Sequence, residues 1–158
     1  MIVGIDPGEN GLALALMRGP REFVAGAVVA LNGRTLAERC YEARHAAGCF
    51  NLDQVYRCVV EEMIHYPKRG ATTAEAARKA ADLLHLQALG AWTAAAFHPS
   101  EIVYRPAREW KGAIPDAAVK RRIQKRVTAE SFEAIEACAA RYGARAHNLW
   151  DAVGLVAL

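Results

Sequence analysis

The apolar positions of this chain change period several times, and each change marks an element. Residues 2–6 (Ile-Val-Gly-Ile-Asp) form a short apolar run closed by an acid, the pattern of a buried strand. Pro7-Gly8 and Asn10-Gly11 punctuate a turn, and residues 12–17 predict a second strand. Arg18-Gly19-Pro20-Arg21 then predicts a hairpin turn into a third strand at 22–31, closed by Asn32-Gly33. Residues 34–47 lack proline and glycine and carry Leu36, Cys40, Tyr41 and Ala43 near helical spacing, with Gly48 as a stop. Residues 54–63 predict a valine-rich strand, and 65–72 a loop with Pro67 and Gly70. A long alanine-rich helix at 73–98 carries Leu83, Leu84, Leu86, Leu89 and Trp92, and a short strand at 101–105 precedes Pro106.

Residues 107–113 leave room for one helical turn carrying Trp110 and Lys111. Asp116 is placed to cap a helix to about residue 127, Thr128 another to 142 with Gly143 as its stop, and 148–158 a final helix. Hairpin strands followed by alternating helix and strand predict an α/β fold. Its mixed five-stranded sheet starts with three antiparallel strands and has helices on both faces. Without a repeat or linker, residues 1–158 are expected to form one domain.

Composition narrows the classes. The chain is 53% apolar with both charge signs present, as in soluble globular proteins. No apolar run approaches a membrane span and no basic stretch precedes an apolar one at the N-terminus. The expectation is therefore no membrane partner, no targeting segment before the first strand, and a cytoplasmic location. The cysteines Cys40, Cys49, Cys58 and Cys138 form no C-x-x-C pair, and the five histidines are scattered, so buried thiols are expected rather than a zinc site.

The net charge of +3 conceals a concentrated basic segment, with Arg105, Arg108, Lys111, Lys120, Arg121, Arg122, Lys125 and Arg126 set against Glu109 and Asp116. Such a run is either a solvated helix face or the footprint of a polyanion. The acids decide between the two. Asp6, Glu61 and Asp151 each lie on an otherwise apolar segment, where a carboxylate is costly unless it is paired or binds a cation. Glu61 and Glu62 face opposite sides of a strand, so only one of them can serve a shared site.

His147 and Asn148 fall four and three residues before Asp151, on one helix face. Either could join the acids, or cap the helix. Three hard carboxylates suit divalent metal, and two ions about 4 Å apart serve both ends of an in-line phosphodiester displacement. Beside such a site, the basic segment reads as a nucleic-acid surface.

The pattern resembles the RuvC family of Holliday junction resolvases. Gly4-Ile5-Asp6-Pro7-Gly8 resembles that family's opening strand, Val59-Val60-Glu61 its second acidic motif, and His147-Asn148-Leu149-Trp150-Asp151-Ala152-Val153-Gly154-Leu155 its C-terminal helix motif, as in phage-type members. The resemblance runs through essentially the whole chain. It implies a ribonuclease-H-like fold, a homodimer, and Mg²⁺-dependent cleavage of four-way or branched DNA, with two ions and Mn²⁺ able to substitute. It implies a bacterial or phage-infected cytoplasm as the location.

The family's acids carry over to Asp6, Glu61 and Asp151. Its fourth metal position holds Asn148 here in place of the usual aspartate, which makes His147 the candidate ligand. The family's phosphate-contacting lysines carry over to Lys111 and, with shorter spacing, to Lys120. The loop after the second acid holds Ile64, His65 and Tyr66. There Tyr66 is a candidate for stacking on an unpaired base, with Lys68 and Arg69 facing DNA. Arg121, Arg122 and Lys125 complete the expected DNA surface. Trp92, Trp110 and Trp150 read as core residues.

Other readings fit less of the sequence. Sugar-kinase and actin-like ATPases also open with strand, aspartate and glycines, but they need two such domains to enclose a nucleotide. A related nuclease acting on RNA–DNA hybrids or branched DNA in general shares the same acids. A catalytically weakened junction-binding protein could keep the fold without the usual fourth acid.

Overall fold

The computed structural model describes residues 1–8, 11–48, 50, 55–64, 72–112 and 114–158. Strands β1 (Ile2–Gly8), β2 (Gly11–Met17) and β3 (Phe23–Ala30) form an antiparallel meander. Helix α1 (Leu36–Gly48) leads to β4 (Arg57–Glu62), which lies parallel to β1. Helix α2 (Thr73–Ala96) then crosses to β5 (Glu101–Pro106), parallel to β4. The sheet order is β3-β2-β1-β4-β5. A single turn α3 (Ala107–Trp110) and helices α4 (Asp116–Gln124), α5 (Ala129–Ala139) and α6 (Ala146–Ala157) complete the chain.

Strand alternation sorts the core into two layers. Val3, Ile5, Leu14, Leu16, Cys58 and Val60 pack with α1 and α2 on one face. Ile2, Ala13, Ala15, Met17, Val28 and Val59 pack with residues of α4, α5 and α6 on the other. Every residue of β2 is buried, because helices cover both of its faces, and its near-continuous apolar run follows from that.

Local chemistry explains most helix ends. Thr72 accepts from the backbone of Glu75 while the Glu75 side chain accepts from the Thr72 backbone, a capping box that starts α2. Thr128 caps α5 through Ser131 as expected. Asp116 does not cap α4: Pro115 holds the cap position, and Asp116 sits in the first turn with its carboxylate turned to Lys111. Gly48 falls inside α1 rather than beyond it. The helix expected to reach 142 ends at Ala139 and tightens into a 3₁₀ segment, where Gly143 adopts φ +53°, a region favoured by glycine.

Among the described residues, no helix is long and apolar enough to cross a membrane. Cys40, Cys58 and Cys138 are free and buried, and burial pushes the Cys58 thiol up to about 12. Cys49 lies outside the described residues. Trp110 and Trp150 are in the core as expected, but Trp92 is not: it is 55% exposed and lines an open hollow with Leu36, Cys40 and Tyr41 of α1.

Candidate active site

The site is built from strand ends and one helix. Asp6 lies on the same face of β1 as Ile2 and Gly4, towards α6. β1 and β4 run parallel with Ile5 beside Val60, so the next step sets Asp6 beside Glu61. Glu61 shares the face of Val59, and alternation sends Glu62 to the other side. Helix α6 lies across β1 and β2. Its approach depends on glycine: a Cβ on Gly4 would stand 2.0 Å from the Ala152 carbonyl oxygen. That close contact delivers Asp151, the residue before Ala152, to the end of β1 where Asp6 stands.

Trp110 sets the fourth member. Its ring packs where a Cβ on Gly154 would be, 2.4 Å from the ring, so α3 is wedged against α6. Gly112, at φ +66°, ends the α3 turn directly after Lys111. Lys111 then reaches Asp151 with its ammonium, donating to Oδ2 at 2.7 Å and Oδ1 at 3.0 Å, and it also pairs with Asp116 Oδ1 at 3.1 Å.

Electrostatics match a shared and crowded site. Burial, then the charge of Glu61, then a hydrogen bond to Glu61 hold the Asp6 carboxyl well above the usual range. Burial also raises Glu61, offset by its bond from Asp6. Burial raises Asp151 as well, although Lys111 pulls it down and the nearby charge of His147 pulls in the same direction. Burial lowers Lys111, but its bonds to Asp151 and Asp116 outweigh this and leave it above its ordinary value. Crowding thus disfavours the charged forms of Asp6 and Glu61, while the lysine ammonium is paired with Asp151.

Three carboxyls are the right donors for a hard divalent cation. As they stand, no group of three or more His, Cys, Asp and Glu side chains among the described residues is arranged to hold one. The reason is visible in the contacts: two of the acids are bonded to each other and the third to Lys111.

The remaining sequence candidates distribute unevenly. His147 lies on the exposed first turn of α6, one turn before Asp151, with Nδ1 2.9 Å from the Ala144 carbonyl oxygen. Neither His147 nor Asn148 is the cap residue, a position held by Arg145. Lys120 does not join the carboxylates. Its ammonium pairs with Glu136 and lies over the rings of Trp150 at 5.2 Å and Phe132 at 5.8 Å. Arg105 is also removed from the expected basic surface, because its guanidinium donates to the Leu155 carbonyl at 2.7 Å.

Arg121, Arg122 and Lys125 are exposed on and just after α4. Tyr66, Lys68 and Arg69 lie outside the described residues. Asp116 was missed as a partner of Lys111. Its place five residues further on is the only hint the sequence holds.

No family model matches the sequence, and no curated protein matches it. In structure, RuvC of T. thermophilus in complex with Holliday junction substrate is similar at TM-score 0.57 and 18% identity, over 99% of this chain and 89% of that one. A Thermus thermophilus RuvC structure is similar at TM-score 0.51 and 14% identity, over 99% of this chain and 90% of that one. At such identities the likeness is one of fold, and the chain has the ribonuclease-H-like fold of RuvC that its sequence resemblance implied.

Proposed function

We propose that this chain is a structure-selective endonuclease that resolves four-way DNA junctions by divalent-cation-dependent phosphodiester hydrolysis. The observation that carries the reading is the convergence of Asp6, Glu61 and Asp151, from three separate elements, on one partly buried spot that also holds Lys111. The likeness in fold to a RuvC bound to a Holliday junction supports the substrate class.

Asp6, Glu61 and Asp151 would hold Mg²⁺, or Mn²⁺ in its place, with His147 as a fourth ligand. A bound divalent ion would help activate a water as nucleophile and would stabilise charge at the phosphate. The chain's own residues have separable tasks. Ligation needs Asp6 and Glu61 in their charged forms, and burial raises both carboxyls, so acid conditions oppose activity. Lys111, released from Asp151, places a positive charge beside the phosphate as negative charge builds on it. Asp116 keeps that ammonium within reach once Asp151 has another partner.

Two nicks across one junction need two sites, and a two-fold homodimer supplies them. The first half of α2, residues 73–85, contains no buried residue, and the helix exposes the large apolar side chains of Leu84, 68% exposed, and Trp92. These apolar side chains favour α2 as the dimer face. Sedimentation showing only monomer at micromolar concentration, with junction present, would leave a simple branched-DNA nickase.

The deciding experiment offers a synthetic four-way junction, a matched duplex and an RNA–DNA hybrid, each with and without Mg²⁺ or Mn²⁺. Paired symmetric cuts in the junction alone, dependent on the cation, are expected. Cleavage of the hybrid would point to a general ribonuclease-H-like activity. The lysine bound to Asp151 favours a second reading, junction binding without cleavage, and tight binding with no cut under either cation would establish it.

A further inference from the structure

The register of the sheet separates two ends of the molecule. Asp6 faces Ala13 across the β1–β2 ladder, whereas Ile2 faces Met17, so the β2–β3 turn lies at the end away from the carboxylates. Helix α6 runs antiparallel to β1, with Ala152 and Val156 against Gly4 and its last turn near that turn. Helix α4 starts at Asp116, beside Lys111, and leads into Lys125 and Arg126, which share a hollow with Arg21 and Ala157.

Two adjoining hollows open there. One, of about 350 Å³, is lined by Pro20, Arg21, Lys125, Arg126 and Ala157. The other, of about 370 Å³, is lined by Glu109, Trp110, Arg122, Lys125, Arg126 and Leu158. Arg21, Arg122, Lys125 and Arg126 are all exposed, and none is in an ion pair among the described residues. Other cations nearby are committed: Lys111 to Asp151 and Asp116, Lys120 to Glu136, Arg18 to Glu22, and Arg105 to a carbonyl.

The corner is also fixed in place. The Thr128 backbone N–H donates to the Arg21 carbonyl at 3.0 Å, so the hairpin turn is tied to the start of α5. Arg21, distant in sequence from the basic run, thereby joins it. Four cations without an ion pair among the described residues surround two concave surfaces, with Glu109 the single acidic side chain named in their linings, and form a site for more than one phosphate.

We infer that Arg21, Arg122, Lys125 and Arg126 form a second backbone-binding site that holds a DNA arm away from the carboxylate cluster. The proposal rests on the nucleic-acid reading above and adds where the arm runs. Ile2 lies four residue steps before Asp6, roughly 13 Å at strand rise, and the β2–β3 turn lies beyond Ile2. At 3.4 Å of helix axis per phosphate on each strand, an arm running along β1 meets the corner at least about four base pairs from the cut. It grips phosphates only, so it strengthens binding to every sequence alike.

The test is the salt dependence of binding to a four-way junction and to a matched duplex, read by fluorescence anisotropy in the absence of divalent cation. It compares the full chain, the Arg21→Gln/Arg126→Gln pair, and Arg18→Gln as a control whose partner is Glu22. Losing two phosphate contacts lowers the slope of log affinity against log salt by about two. The pair should show that loss on both DNAs and keep the melting temperature of the parent, and Arg18→Gln should keep the parent slope. A pair with the parent slope, while the parent still prefers the junction, overturns the corner and spares the function. A lowered slope with no preference for the junction keeps the corner and removes the junction from the function. Failure of the parent to bind either DNA overturns both.

Discussion

At Asp151, midway along α6, the helix adds its carboxylate to two others and a lysine; at Ala157 it borders a corner of four cations and one glutamate. The two regions are built differently. The acidic one is partly buried, draws on β1, β4, α3 and α6, and depends on backbone approaching backbone at Gly4. The basic one is exposed, comes mostly from one run of sequence, and needs only the β2–β3 turn beside it. Buried charge is expensive and is kept where chemistry requires it, whereas exposed charge costs little and acts at range. Substitutions should therefore separate catalysis and stability at one end from affinity at the other.

The largest expected effect is on cleavage. Asp6→Asn, Glu61→Gln and Asp151→Asn should each slow junction cutting by at least the ~10²–10³-fold that loss of one transition-state-stabilising group costs. Junction affinity without divalent cation should stay within about twofold, since the phosphate contacts that dominate it lie elsewhere. Near-parental cutting by any one of them would take that residue out of the site. A smaller loss, about 10–100-fold, is expected for His147→Ala, with Asn148→Ala milder. The reverse ranking would make Asn148 the fourth member.

Gly4→Ala tests how the acidic region is assembled. A methyl placed 2.0 Å from the Ala152 carbonyl oxygen must displace α6. A destabilisation of about 1–3 kcal/mol is expected, a fall of roughly 2–4 °C in melting temperature per kcal/mol. Cutting should drop with it, while the salt slope of binding should not change. An unchanged melting temperature would show that α6 does not lean on β1 there.

The smallest effect is a pH dependence. Asp6, Glu61 and Asp151 are all raised in the folded state, with burial the first cause. The folded chain therefore holds protons that the unfolded chain has lost. The resulting stabilisation is full below the ordinary carboxylate range, about pH 4, and disappears as pH rises through the raised values. Without divalent cation, Asp6→Asn should melt with the parent near about pH 4 and above it at neutral pH. Adding Mg²⁺ should raise the parent's melting temperature at neutral pH and leave the variant's nearly unchanged. Parallel melting curves across the range would show that Asp6 is not held protonated.

Most of the sheet was legible in sequence, because strands buried on both faces read as apolar runs and turn residues mark their ends. β1, β2 and β5 fall within a few residues of the positions expected for them, and the capped starts of α2 and α5 follow from Thr72 and Thr128. Strand alternation showed that only one of Glu61 and Glu62 could serve the site, the valines before it and the family resemblance favoured Glu61, and the structure puts Glu61 on the face of Val59. Trp92 was misread because an apolar side chain on an alanine-rich helix gives the same signal on a covered face as on an open one. Lys120 and Arg105 were misread for a related reason: a basic run does not say which of its members have found an acid or a carbonyl.

By itself, the sequence determined the order of elements, the faces of the strands and the three acids that cannot be buried alone. These are local properties, set by side-chain period and by the cost of an unpaired charge. Which cations remain free was decided by tertiary structure. So was the pairing of Lys111 with Asp151 and Asp116, and the joining of Arg21 to a basic run about a hundred residues away. These depend on how closely α6 settles on β1 at Gly4, on Trp110 filling the space over Gly154, and on the turn that Thr128 ties down. Such contacts form only when distant segments meet, and no periodicity along the chain encodes them.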